Sequence, residues 1–307
     1  MKLIFTTSAL LALCSAHPTR RNSSQPTPSI TDVAIMQYAL TLEHLENRFY
    51  HECLTNFNIE DFKAAGYQES FYQNLKEVSY DETTHVSFLT QAIIAANATP
   101  VEECTYTFGI TDVHSCVKTA GMLEGVGVSA YAGAAASILE KLLLTTAASI
   151  LAVEARHSSL LRKAKKQSPF PQPFDVPLSL DQVYTLAAPF IVSCPAGNGP
   201  LPVKAFPTLS IVPGCGDVAT NKPITLQTAE PVADAGPDGL YYAAWISASG
   251  PTFVDATLEG ADSFSTKVPD GYHGQSYVLL TKGKCADDDC VVAGPAIVEV
   301  QGAAGMA

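Results

Sequence analysis

Ala147-Ala148-Ser149-Ile150-Leu151-Ala152-Val153-Glu154-Ala155-Arg156-His157 is an apolar run that ends on a carboxylate and an imidazole three residues apart. On a helix such residues lie about 60° apart around the axis, so Glu154 and His157 face the same neighbour. The same spacing occurs earlier, in Glu82-Thr83-Thr84-His85. Two more glutamates have a partner of another kind: Tyr50 stands seven residues after Glu43, and Tyr131 seven after Glu124. Seven residues is nearly two helical turns, which puts each Glu and Tyr on one face. Glu60 and Tyr67 share the spacing, but Gly66 interrupts any helix there, so that match is read as accidental. The order Glu…Tyr, E-x-x-H, Glu…Tyr, E-x-x-H is an internal repeat of two helical hairpins.

The surrounding sequence agrees. Between residues 31 and 166 there is one proline, Pro100, and apolar residues recur at helical spacing. Thr31 or Asp32 caps a first helix carrying Ile35, Met36, Ala39, Leu42, Leu45 and Phe49. A second is predicted over 68–96, a third over 115–136 and a fourth over 141–166, with a long connection at 97–114. Pro169, Pro171, Pro173 and Pro177 then forbid continued helix, apart from a short piece over 180–188. Beyond residue 200 the pattern becomes short β-prone runs, 241–246, 277–280 and 296–300, between turn residues. The fold class expected is α+β with two domains: a four-helix bundle over 30–199 and a small all-β, sandwich-like module over 200–307. That module has no stake in the repeated residues and is expected to melt by itself.

The N-terminus reads as an export signal, Lys2 then an apolar run closing on Ser15 and Ala16. Residues 1–16 are expected to be removed, leaving a Pro/Ser/Asn-rich linker at 17–29. His17 would then be the mature N-terminus, a residue type that binds copper only weakly without a rigid site. Two glycosylation sequons, Asn22-Ser23-Ser24 and Asn97-Ala98-Thr99, fit secretion. No later segment has the length and freedom from charge of a membrane span. The 307 residues carry 18 Lys+Arg against 30 Asp+Glu, a net charge of -12, with no basic stripe, so nucleic acid is not an expected partner. Seven cysteines remain after the signal, none in C-x-x-C, and an oxidising compartment favours disulfides. Proximity in sequence suggests Cys104–Cys116, Cys194–Cys215 and Cys285–Cys290 with Cys53 left over, although sequence does not fix connectivity.

Glu43, Glu82, His85, Glu124, Glu154 and His157 together make the donor set of a two-metal carboxylate site in a bundle core, one Glu from each of two helices and one E-x-x-H from each of the others. Two divalent cations balance four carboxylates, whereas an empty site would take up protons instead. Oxygen and imidazole donors suit iron or manganese. The plainer reading is hydrogen-bonded pairs without metal. Glu46, about 60° from Glu43, is its rival as ligand. Tyr50 and Tyr131 are candidates to orient the ligands or to act as redox phenols, and core aromatics needing one hydrogen bond are the commoner case. His44 and His51 share a helix face and read as solvated or packed. Cys285-Ala286-Asp287-Asp288-Asp289-Cys290 reads as a disulfide-closed turn rather than a calcium cage.

The segment Leu42-Glu43-His44-Leu45-Glu46-Asn47-Arg48-Phe49-Tyr50, with 147–157, resembles secreted fungal ferritin-like proteins, which are related to desiccation-related, stress-response and late-sexual-development proteins. The resemblance spans about residues 31–193. It implies a ferritin-like bundle and a di-metal site holding two iron or manganese ions. Redox chemistry on a small oxidant, oxygen or peroxide, follows as the expected function. The rival is a structural or surface-binding protein of stress or development without turnover, its β module meeting a cell-wall or surface partner. Simple extracellular iron binding is a third reading.

Overall fold

The computed structural model describes residues 30–212, 218–232 and 239–305. The expected export signal, His17, Asn22 and Cys215 lie outside these residues. Four long helices form the bundle: α1 (Asp32–Asn56), α3 (Glu69–Ala95), α4 (Val113–Ala134) and α5 (Lys141–Ala164). A short α2 (Ile59–Ala64) precedes Gly66, which adopts φ 89°. Three of the four long helices start on a side-chain cap, at Thr31, Asp112 and Glu140. The Thr31 side chain accepts from Ala34 N–H, and Asp112 and Ser115 form a reciprocal capping box on α4. Asp32 accepts from the N–H groups of Leu139 and Glu140, both at 2.8 Å, tying the start of α1 to the start of α5. Helix α1 packs along α3 and α4 along α5, so each half of the internal repeat is one hairpin. Asn97, exposed and at φ 56°, ends the turn after α3.

The long crossover is pinned in a way the sequence did not indicate. Its strand β1 (Thr105–Tyr106) pairs antiparallel with β2 (Ile191–Ser193), and Cys104 is joined to Cys194 alongside. Cys116 is bonded to Cys53, and Cys285 to Cys290. The expected Cys104–Cys116 and Cys194–Cys215 pairs are therefore incorrect, and Cys53 is not left over. The reason is facing. Cys116 lies in the first turn of α4 with its side chain turned into the core against α1, its Cα 6.1 Å from that of Cys53. Cys104 instead comes within 4.2 Å of Cys194 across the β1–β2 pair.

After a short helix α6 (Leu180–Ala187) the chain forms strands β3 (Leu209–Ile211), β4 (Pro223–Thr228), β5 (Tyr241–Trp245), β6 (Thr252–Leu258), β7 (Ser263–Lys267), β8 (Gly274–Lys282) and β9 (Val291–Val300). All pairings are antiparallel, in the order β3-β4-β7-β6-β5-β8-β9. The outer strands approach one another, and the Gly294 N–H donates to Pro207 O at 2.8 Å, so this all-β domain is a nearly closed sheet of seven strands. Its interior is apolar, centred on Trp245, Phe264, Val278 and Leu280.

The two parts share a core. Tyr38, Val126 and Ala130 of the bundle cluster with Val176, Leu178 and Val183 and with Ala244, Ile246, Tyr277 and Leu279 of the sheet. The Tyr277 hydroxyl donates to Gly125 O at 2.8 Å, and buried Arg162 forms a two-pronged ion pair with Glu299 at 2.8 and 3.1 Å. Gly133 permits the tightest approach: a Cβ there would stand 1.7 Å from the Leu178 carbonyl oxygen. Backbone cannot yield to that contact without moving the segment. Gly133→Ala is expected to destabilise the protein by about 2–3 kcal/mol, in the upper range of overpacking, as read from the denaturant midpoint. An unchanged midpoint would contradict the close packing.

Candidate metal centre

The structure brings all six donor residues to the middle of the bundle and buries each. Glu43 comes from α1, Glu82 and His85 from α3, Glu124 from α4, and Glu154 and His157 from α5. They fall into two groups of four. Glu43, Glu82, His85 and Glu154 form one, and Glu82, Glu124, Glu154 and His157 the other, so Glu82 and Glu154 are shared. Within each group the donor atoms lie within 4.8 Å of one another, slightly wider than the about 4.3 Å across a first-row metal's coordination sphere. His85 Nδ1 stands 3.3 Å from oxygens of Glu43, Glu82 and Glu154. His157 Nδ1 stands 3.1 Å from Glu82 and 3.3 Å from Glu124.

These contacts leave the donors incompletely satisfied. Glu43 Oε2, Glu82 Oε1, Glu124 Oε2, both Glu154 oxygens and His157 Nδ1 are buried without an aligned hydrogen-bond partner. Buried polar atoms are rarely left so, because each forfeits hydration with nothing in return. Burial raises the pKa of Glu82, Glu124 and, most strongly, Glu154, and their neighbouring carboxylates add to the rise in Glu154. For His157 burial disfavours the imidazolium, but Glu124 and Glu82 outweigh it and push the pKa up to about 11. In His85 burial is likewise outweighed, by Glu154, Glu43 and Glu82, and the ring is held well above its ordinary value. Protons thus satisfy the cluster when nothing else does. Cations would do so better, and the donors fit them. The six described cysteines are all in disulfides, leaving an oxygen and imidazole set suited to iron or manganese.

The two tyrosines cross over. Tyr50 of α1 donates to Glu124 Oε1 of α4, and Tyr131 of α4 donates to Glu43 Oε1 of α1, each at 2.5 Å. Burial and the adjoining carboxylate raise both phenols well above their usual range, keeping them protonated as donors. Each fixes the carboxylate of the opposite hairpin. Glu46 is buried beside the cluster but belongs to neither donor group. Its Oε1 and Glu154 Oε2 both lie close over Gly127, within 3.0 and 3.1 Å of where a Cβ would be. Among the remaining candidates, Glu60 pairs with Lys63 and Tyr67 stacks on Phe71, so that pair does not form. His44 packs against the Val101 carbonyl, and His51 is exposed. Among the described residues only the two groups above gather three or more such donors.

Asp81 was not anticipated. Its carboxylate lies 3.1 Å from His157 Nε2. That contact favours the tautomer with hydrogen on Nε2 and leaves Nδ1 facing Glu82 and Glu124. Its only sequence signal is that Asp81 directly precedes Glu82; Val153 holds the matching place before Glu154. Asp81→Asn is expected to weaken metal binding at this position by about 10–100-fold without altering the fold, as measured by metal titration beside the circular dichroism spectrum. Equal affinity in the variant would remove Asp81 from the site.

A buried cluster of glutamate and histidine on four antiparallel helices, contributed twice over by a repeated hairpin, defines a ferritin-like bundle. Residues 31–167 match the family model of the ferritin-like domain, which covers the helical part of the chain. Over 341 aligned positions, covering 91% of this chain and 84% of the relative, the sequence is 25% identical to Protein rds1 of Schizosaccharomyces pombe. The similarity therefore extends through the β domain as well.

Proposed function

We propose that the protein is a secreted di-metal carboxylate protein that holds two iron or manganese ions and performs redox chemistry on oxygen or peroxide, in the setting of stress or development. The observation that carries this reading is the pair of four-donor groups with orphaned, inward-facing atoms. Glu43 with His85, and Glu124 with His157, would each serve one ion, and Glu82 and Glu154 would lie between the two. When bound, the metal pair supplies the electrons and the open coordination positions for a small oxidant. The chain's own part is positioning. Tyr131 and Tyr50 hold Glu43 and Glu124 in place, Asp81 orients His157, and the surrounding apolar core keeps water out. Three disulfides support an oxidising, extracellular setting, and among the described residues no helix is long and apolar enough to cross a membrane.

The test is elemental analysis of protein purified from the medium of its native host, grown with iron and manganese. About two ions per chain are expected, as in two-metal sites generally. Finding none would overturn the proposal. Two tightly held ions with no consumption of oxygen or peroxide would leave the metal site standing and reject the redox step.

A further inference from the structure

The two hairpins repeat their metal-type donors but not their packing. Superimposing Glu43 on Glu124 puts Phe49 on Ala130 and Cys53 on Ala134. Superimposing Glu82 on Glu154 puts Leu75 on Ala147 and Phe71 on Leu143. At the end of the bundle built by Phe49, Cys53, Phe71 and Leu75 the core is filled, with all four side chains buried in one cluster. At the opposite end the smaller residues leave a cavity of about 40 Å³. Ala130, Ala134, Leu143 and Ala147 line it, and its lining takes in Glu43, Glu46 and Tyr131 of the centre. Glu124, His157 and Tyr50 do not border it. It reaches the surface beside Phe88, which is 43% exposed.

The walls are almost wholly apolar, and the hydroxyls among them are engaged elsewhere: Tyr131 with Glu43, Tyr38 with the Leu180 carbonyl, Thr146 with the Leu142 carbonyl. A water needs about 10–15 Å³ and two to four polar partners, so outside the Glu43 and Glu46 carboxylates at its inner end this space has the room and lacks the partners. Hydrated cations and hydrogen peroxide, which depend on hydrogen bonds, are disfavoured there for the same reason. The space is also far below the roughly 150 Å³ that accommodates benzene. Size and chemistry leave a small, uncharged, apolar guest.

We propose that this cavity is the route by which dioxygen reaches the centre, and that it serves the Glu43–His85 position alone. The inference rests on the di-metal reading and narrows its oxidant to dioxygen. Access is thus one-sided although the donors are two-fold.

Xenon, an inert apolar guest, tests the cavity directly. Crystals of the whole protein under xenon pressure, with and without metal, are expected to show xenon between Ala130, Ala147 and Tyr131. Absence of xenon there would overturn the inference whatever the metal content. Ala147→Leu, which restores the residue held at the equivalent place, should exclude xenon while metal stoichiometry stays at the wild-type value. In ferrous-loaded protein it should slow single-turnover oxygen consumption by about tenfold, the effect of a modest added barrier. Ala130→Val fills less space and serves if the larger side chain prevents folding. Xenon excluded with the oxygen rate unchanged would reject the cavity as the route. Xenon bound in a protein that takes up no metal would instead sink the di-metal reading, and the oxygen route with it.

Discussion

Removing metal from loaded protein is expected to lower the melting temperature of the entire molecule, in a single transition, by roughly 10 °C. Ions that bind the folded chain stabilise it by RT ln(1 + [L]/Kd), about 4 kcal/mol at a thousandfold excess, and each kcal/mol moves a chain of this size by about 2–4 °C. A β domain independent of the donors would give a second, unmoved transition. The shared core of Tyr38, Val126, Leu178, Tyr277 and Leu279, together with the buried Arg162–Glu299 pair, couples the two parts instead. The shift should grow with pH. In the metal-free protein, Glu154 and His157 both have pKa values raised above their unfolded ones. Their contribution is fully present below the unfolded values, about 4.3 for Glu and 6.5 for His, and is lost as pH rises through the folded ones. For His157 that loss extends to about 11. Metal binding runs the other way, because protons compete for the same atoms. Calorimetry with and without chelator across pH checks both points. A chelated protein that melts unchanged, with metal loss verified, would exclude the buried site.

Glu154→Gln should act with opposite signs on the two states. The loaded protein should lose both ions, because Glu154 belongs to both donor groups. The metal-free protein should gain about 1–3 kcal/mol, since one of several crowded, buried carboxyls becomes a neutral amide of the same shape. Replacing Glu60, which is exposed and paired with Lys63, should do neither. Denaturant midpoints and metal content on the same samples decide the matter. A metal-free Glu154→Gln protein weaker than wild type would mean that Glu154 is held there by a partner worth more than the repulsion.

The helices and their repeat were legible because the signals were local: E-x-x-H, a tyrosine at the seventh residue, a single proline, and a cap at Thr31 or Asp32. What escaped depends on which way a side chain faces once the helices are assembled. Cys116 is near Cys104 in sequence, yet it turns inward to Cys53. Asp81 reaches a histidine of another helix, meeting His157 from the side opposite to Glu82. Alanine is a good helix former anywhere, so at 130, 134 and 147 missing volume shows only beside Phe49, Cys53 and Leu75. Composition marked a boundary near residue 200, but Tyr38 and Tyr277 bury themselves across it, which no change in amino-acid usage announces.

The pairing of Cys53 with Cys116 and of Cys104 with Cys194 has overlapping spans. A protease that severs the backbone once at any point between residues 53 and 194 therefore liberates no fragment. A nick in α3 is bridged by the first bond, one in α5 by the second, and one between residues 104 and 116 by both. All of the donor side chains except Glu43 lie inside that stretch, each spanned by one of the two bonds, and Glu43 is joined to Cys53 by unbroken helix. In the extracellular setting proposed above, cleavage of a loop would be a scar rather than a disassembly.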